Sequence, residues 1–310
     1  RNAEKERIER GEIEVVGKDK KGALILKQSE TVARVKHPVT VWNQRSHNAG
    51  AGGSNVIRSV IPGRRFPFPK SLYAVEDALR FFVARKPDAV ILDFFSGSGT
   101  TAHAVMRLNR QDGGRRQCIS VTNNEVAADE QKALREQGLR PGDPDWEKWG
   151  ICDHITKPRV KAAITGQTPD GEPIKGDYKF TDEFPMAEGF EENAEFFTLT
   201  YEARSAVNHN LAFARIAALL WLRAGAQGQR IEKLPPEGWA VADTYGLLTE
   251  MDAAAPFIKA VATAHALRVA YIVTDDDRRF QAIAQQLPRS VEPVRLYESY
   301  LTNFSFANGE

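Results

Sequence analysis

The chain has 310 residues, 42% hydrophobic and 27% charged, with 42 basic side chains against 41 acidic ones for a net charge of +1. That is ordinary for one large globular α/β domain or two smaller ones, and it supplies no bulk positive field, so any contact with nucleic acid must come from local patches. No apolar run approaches the ~20 residues that span a bilayer, and two cysteines, Cys118 and Cys152, argue against a disulfide framework and for a cytoplasmic setting.

No signal peptide opens the chain, and a first residue of Arg1 favours a fragment or processed piece. Residues 1–36 are polar and lysine-rich and read as a ragged hairpin or arm. The glycine-rich run 48–54 reads as a mobile loop unless something holds it. Leu72, Val75, Leu79, Phe82 and Val83 have helical spacing, with Pro69 at the entrance. The apolar run Ala89-Val90-Ile91-Leu92 predicts a strand buried on both faces of a parallel sheet. A turn, a helix over 100–110, a strand over 118–122 and a helix over 125–137 follow, an alternation that implies parallel pairing with helices on the faces. Residues 146–164 read as a helix broken near Lys157-Pro158, 165–181 as loop, and 196–200 as a third strand. The pattern then restarts: a helix over 210–224, strands over 239–242 and 269–273 around a helix over 253–266, a helix over 278–286 and a short strand over 293–296. The domains expected are an arm over 1–65, a partial Rossmann-like sheet over 66–204, and a smaller C-terminal α/β unit over 205–310.

A buried strand running into Gly97-Ser98-Gly99 at a helix start brings backbone and ligand close together. A bare G-x-G is about as often a tight turn with no ligand. No lysine follows Gly99, which removes the Walker phosphate loop. Gly97 to Ala102 formally satisfies the dinucleotide pattern G-x-G-x-x-A. A third candidate is S-adenosylmethionine, whose cationic sulfonium and amine favour a carboxylate beside the turn. Asp93 ends the strand there, although a strand-end aspartate is often only a turn cap.

The wider pattern resembles a known family. Phe66-Pro67-Phe68-Pro69-Lys70-Ser71, then about twenty residues, then Asp93-Phe94-Phe95-Ser96-Gly97-Ser98-Gly99-Thr100-Thr101-Ala102-His103-Ala104-Val105, is similar to the amino-methyltransferases of DNA. The likeness is to their permuted (beta) group, notably the modification subunits of type III restriction systems. It extends to residues 115–126, to Ile155-Thr156-Lys157-Pro158-Arg159-Val160, to Arg10-Gly11-Glu12-Ile13 and Val39-Thr40-Val41-Trp42-Asn43, and to the tail over 295–304. The resemblance implies an S-adenosylmethionine-dependent methyltransferase sheet. In it Phe95, Gly97 and Gly99 wrap the methionine portion, Asp93 lies near its amine, and Glu125, ending the second strand, takes the ribose hydroxyls. Lys70 falls in the first cofactor-side motif, or is a solvated helix-start lysine. Thr100 and Thr101 bind the carboxylate or cap the helix, and His103 carries a similar ambiguity. The alternative for Glu125 is a solvated helix-start acid favoured by the local dipole.

That family methylates amino groups through a tetrapeptide of Asp, Asn or Ser, two prolines and an aromatic residue that stacks on the flipped base. The only Pro-Pro here is Leu234-Pro235-Pro236-Glu237, which lacks both flanking residues. The resemblance therefore places no catalytic residue in this chain and implies an upstream half, in cis or as another chain. The implied activity is adenine-N6 methylation of double-stranded DNA, with a restriction subunit as a further partner. A non-catalytic assembly piece and an NAD-dependent enzyme are the alternatives. The six histidines show no metal-ligand spacing. The run Asp275-Asp276-Asp277-Arg278-Arg279 reads as a helix N-terminus with favourable acids rather than as a nuclease carboxylate cluster. Arg58, Arg64 and Arg65 suit DNA phosphates or a solvated loop, and Trp42, Phe66 and Phe68 suit core packing.

Overall fold

The computed structural model describes Ile8 and residues 13–18, 21–28 and 41–297. The family-like stretches at 10–12, 39–40 and 298–304 lie outside the described residues. The chain divides into two compact units, Arg1–Ala194 and Glu195–Glu310, a division that falls ahead of the expected 204/205 boundary. Among the described residues no helix is long and apolar enough to cross a membrane.

The first unit opens with an antiparallel hairpin, β1 (Ile13–Lys18) and β2 (Leu24–Gln28). The glycine-rich run is held. It forms a π-helical turn, Gly50–Ser54, with Gly52 and Gly53 buried, leading into helix α1 (Asn55–Val60). A Cβ on Gly53 would lie 2.6 Å from the Pro69 carbonyl oxygen, so only glycine allows that approach. Ser71 Oγ donates to the Ser46 carbonyl at 2.7 Å and His47 Nε2 pairs with Asp77 Oδ2 at 2.8 Å. These bonds tie residues expected in a separate arm to helix α2 (Leu72–Val83), whose N-cap is Ser71.

Strand β3 (Val90–Asp93), helix α3 (Thr100–Asp112) and strand β4 (Gln117–Ser120) make a parallel β-α-β unit, with Ile91 opposite Cys118 and Leu92 opposite Ile119. Side chains alternate between faces along a strand. Ile91 joins Val83, Val105 and Leu108 in a core that also takes Leu79 and Cys118. The expected burial on both faces is corrected here. On the opposite face Val90 is 59% exposed and Leu92 62%, and Phe94, Ile119 and Val121 are exposed as well. A continuous apolar run does not report which of a strand's two faces finds a cover within the same unit.

A buried ion pair locks α2 to α3: Arg107 Nε donates to Glu76 Oε2 at 2.6 Å, with both side chains almost fully buried. Arg80 and Gln111 also donate to Glu76, and the Arg107 guanidinium lies 5.2 Å from the Tyr73 ring and 4.9 Å from that of Tyr178. Beyond β4 come helices α4 (Ala128–Glu136) and α5 (Pro144–Glu147), then a π-helical turn, Cys152–Thr156, that runs straight into α6 (Lys157–Thr165). At the expected break, Lys157-Pro158, the chain stays helical and changes from π to α winding, and the interruption within 146–164 falls at 148–150. The segment 196–200 forms no strand. Phe197 packs against Trp221 (6.4 Å) and Arg230 (5.8 Å).

The second unit carries α7 (Arg204–Asn208), α8 (Phe213–Arg223), β5 (Trp239–Val241), β6 (Tyr245–Leu248), α9 (Ala254–Thr263), β7 (Val269–Ile272), α10 (Asp277–Ala284) and β8 (Glu292–Arg295). Its sheet runs in order β5-β6-β7-β8, with the last three strands parallel. One face packs Tyr245, Leu247 and Tyr271 against Phe213, Ala217 and Leu220, and the other packs Leu248, Ala270 and Ile272 against Phe257, Val261 and Ile283. Strand β6 has no counterpart among the sequence expectations. Its four residues, Tyr-Gly-Leu-Leu, are short and contain the glycine that weakens a strand signal.

Glu76→Ala should leave three donors without their acceptor and a buried cation unpaired. Denaturant unfolding should show a loss of about 3–5 kcal/mol.

Candidate functional site

The turn between β3 and α3 is the best-defined exposed feature of the first unit. Asp93 Oδ1 accepts from the Phe95 amide at 3.3 Å. Ser96 N donates to Val121 O at 3.0 Å, Val121 N to Asp93 O at 2.8 Å, and Gly99 N to Ser96 O at 2.9 Å, which pins the turn to the end of β4. Gly97 (φ 50) and Gly99 (φ 74) are both left-handed. A Cβ on Gly99 would meet Thr156 Cγ2 at 3.3 Å, on top of the roughly 1–2 kcal/mol that left-handed backbone costs other residues. Phe95 stands 88% exposed, edge-on to Phe94 with ring centroids 5.3 Å apart. Ser96 is buried and its Oγ finds no partner among the described residues.

A polar network holds the turn from behind. Thr156 Oγ1 donates to Gly97 O at 2.5 Å. Arg159, fully buried, reaches from α6 and donates through Nη1 to Ser98 O (3.1 Å), Ser98 Oγ (3.1 Å) and Thr100 Oγ1 (2.8 Å). Its Nε donates to His103 Nδ1 at 3.4 Å, so His103 carries its proton on Nε2 and donates to Tyr178 Oη at 2.7 Å. Burial, then the charges of Arg159 and Arg107, push the His103 pKa well below its ordinary value and keep the ring neutral. Burial lowers Arg159 to about 10 and raises the Tyr178 hydroxyl.

The structure thus brings Asp93, Phe95, Gly97, Gly99 and Thr100 together in one turn. Thr100 faces inward: it is buried and its hydroxyl is engaged by Arg159. Thr101 is half-buried in the first turn of α3. Lys70 is exposed just before the Ser71 cap. Glu125 does not end the second strand. Strand β4 stops at Ser120, and Glu125 is exposed in the loop beyond it. There Asn124 turns the chain away, donating to Glu147 O and accepting from Asp153 N. Among the described residues no hydrogen bond links Lys70 or Glu125 to the turn.

Sequence reasoning assigned no role to Ser96, Thr156, Arg159 or Tyr178. Thr156 and Arg159 fall in the family-like stretch 155–160, but nothing in a charged helical stretch marks one arginine as buried. Phe68 departs from core packing, being 91% exposed with φ 52. Arg58 bonds Asn55, and Arg64 donates to His154 O at 2.6 Å. Asp276 accepts from the amides of Arg278 and Arg279, capping α10. Among the described residues no cluster suits a metal ion.

Set beside known proteins, residues 3–166, just over half the chain, match the family model described as DNA methylase. The chain is 41% identical over 85 residues to the type II methyltransferase M.KpnI of Klebsiella pneumoniae, a stretch covering 27% of this chain and 20% of that protein. It is 32% identical over 91 residues to the type III restriction-modification enzyme EcoPI Mod subunit of Escherichia phage P1, covering 29% and 14%. Against the StyLTI Mod subunit of Salmonella typhimurium it is 38% identical over 81 residues, covering 24% and 12%. The chain therefore spans a fifth or less of the length of these relatives.

Because His103 binds a proton less readily folded than unfolded, the unfolded state gains protons first as pH falls. Stability of the first unit should hold above the ordinary histidine value of 6.5 and decline below it. His154, lowered by burial and by Arg64, adds to the same slope. Melting curves of His103→Gln should show a shallower loss of stability between about pH 6.5 and pH 5 than wild type. Equal slopes would contradict the buried neutral ring.

Proposed function

The chain belongs to the DNA methylase family, and from that premise we propose that it is the donor-holding portion of an S-adenosylmethionine-dependent DNA methyltransferase acting on the N6 amine of adenine in double-stranded DNA. The observation that carries the reading is the turn Asp93–Thr100, a left-handed double-glycine connection with a carboxylate on one side and an exposed aromatic on the other.

The residues present fit such a cofactor. The Asp93 carboxylate uses Oδ1 on the Phe95 amide, and its second oxygen suits a cationic amine. Phe95 offers an open aromatic surface, and Ser96 holds a buried hydroxyl at the turn with no partner among the described residues. Gly97 and Gly99 let the backbone approach a ligand without side chains in the way. Thr101, Lys70 and Glu125 complete the proposed set, with Glu125 taking the ribose hydroxyls and Lys70 flanking the site. Thr100 supports the turn from within. When bound, the cofactor supplies an electrophilic methyl group. The protein's own part is to hold an anion beside the donor's positive charge and to keep the turn from shifting.

The base-handling chemistry is assigned to a segment outside these residues, in the permuted order. The exposed face built from Val90, Leu92, Phe94, Ile119 and Val121 supports a complementary half, in cis or as another chain. Covering those five side chains would contribute on the order of 1 kcal/mol each. The similarity to Mod subunits extends the proposal to a restriction subunit as partner.

Asp93→Asn keeps the shape and removes the charge, and should weaken S-adenosylmethionine binding by roughly tenfold to a hundredfold. Activity is tested by radiolabelled methyl transfer to double-stranded DNA, using the chain alone and the chain joined to a half bearing the proline-proline tetrapeptide. The joined protein should label adenine and the chain alone should not. Robust turnover by the chain alone would overturn the divided site, and no transfer by the joined protein would overturn the activity.

A further inference from the structure

Arg159 is the least expected side chain in the first unit. Its guanidinium is fully buried, no carboxylate among the described residues pairs with it, and Nη2 finds no partner there. A buried cation in that state is expensive to keep, since desolvation takes away more than a few neutral hydrogen bonds return. The bonds it makes are concentrated on one structure. Three of its acceptors are Ser98 O, Ser98 Oγ and Thr100 Oγ1, all in the glycine turn, and the fourth is His103 one helical turn along α3. Its support runs through His103 to Tyr178, whose amide is in turn anchored on Phe184 O at 2.8 Å.

We propose that Arg159 is the positioning residue of the cofactor turn, a buried guanidinium that holds Ser98 and Thr100, on either side of left-handed Gly99, in place before any ligand arrives. The proposal rests on the reading of that turn as the donor site. Two facts separate this role from ordinary packing. Thr156 and Arg159 fasten consecutive carbonyls, Gly97 O and Ser98 O, from the same helical segment, so the turn is fixed at two adjacent peptides. Its polar reach also ends on the turn and on the residue bracing the arginine itself. His103 and Tyr178 keep Nε aligned: His103, held neutral, presents Nδ1 as an acceptor, which a protonated ring would not do. A turn fixed in advance binds ligand without the loss of freedom that a loose one suffers.

The test compares Arg159→Lys and Arg159→Met with wild type in the full chain. Lysine keeps the charge and loses the planar guanidinium that reaches the turn through Nη1 and His103 through Nε; methionine removes a desolvated cation but leaves Ser98 O without this donor, effects of opposite sign that let the fold survive. Two readouts are taken at matched melting temperature: amide hydrogen exchange of residues 96–101 without ligand, and S-adenosylmethionine affinity by calorimetry. The expected result for Arg159→Met is about tenfold or greater acceleration of exchange confined to the turn, with a comparable fall in affinity, and partial recovery of both in Arg159→Lys. Exchange and affinity equal to wild type would overturn the proposal, as would acceleration spread evenly over the unit. Should wild type bind no S-adenosylmethionine while exchange at the turn still rises in Arg159→Met, the lock stands and the donor-site reading falls. Should wild type bind S-adenosylmethionine and Arg159→Met bind it equally well, the reading stands and the lock falls.

Discussion

The hydrogen bonds from Arg159 and Thr156 to the oxygens of the glycine turn are the contacts on which the front of the first unit depends. They take up Gly97 O, Ser98 O and the Thr100 hydroxyl from behind, which fixes the direction in which α3 leaves the sheet. Farther along the same helix, Arg107 is seized by Glu76 of α2. Helix α3 is therefore anchored twice by buried arginines, one with a carboxylate and one without. Between the anchors sits His103, neutral, bonded on both ring nitrogens. With its rear so fully occupied, the turn leaves Asp93 and Phe95 at the surface, where a ligand can reach them.

The second constraint is the uneven burial of the β3–β4 pair. Helices α2 and α3 cover Ile91 on one face with Val83, Val105 and Leu108, and Leu92 remains 62% exposed on the other. A two-stranded sheet with one open apolar face is marginal by itself and prone to pair with another strand. The C-terminal sheet makes the contrast within one chain: there Leu247 and Leu248 point to opposite faces and both are fully buried. Of β3 and β6, only β3 reads in sequence as a continuous apolar run, and the burial of each depends on what lies against it.

This difference explains what was legible beforehand. Helix α2, the β3-turn-α3 unit and most of the C-terminal alternation follow from apolar spacing and from glycine and proline positions, which act locally. That Asp93, Gly97 and Gly99 share one strand-to-helix turn was readable because strand, turn and helix are contiguous. The glycine-rich run 48–54 looked mobile because its partners, Pro69 and Ser71, are distant in sequence. Segment 196–200 has strand composition, but its Phe197 goes to Trp221 and Arg230. Arg159 was hidden for the same reason: its acceptors at 98, 100 and 103 lie some sixty residues away, and an arginine two residues into a helix ordinarily faces water.

The central claim is that the turn Asp93–Thr100 holds S-adenosylmethionine. Calorimetric titration of the chain with S-adenosylmethionine and, in parallel, with NAD tests it most directly. Saturable one-site heat with the first and none with the second is the predicted result; no heat with S-adenosylmethionine, or tighter binding of NAD, would contradict it.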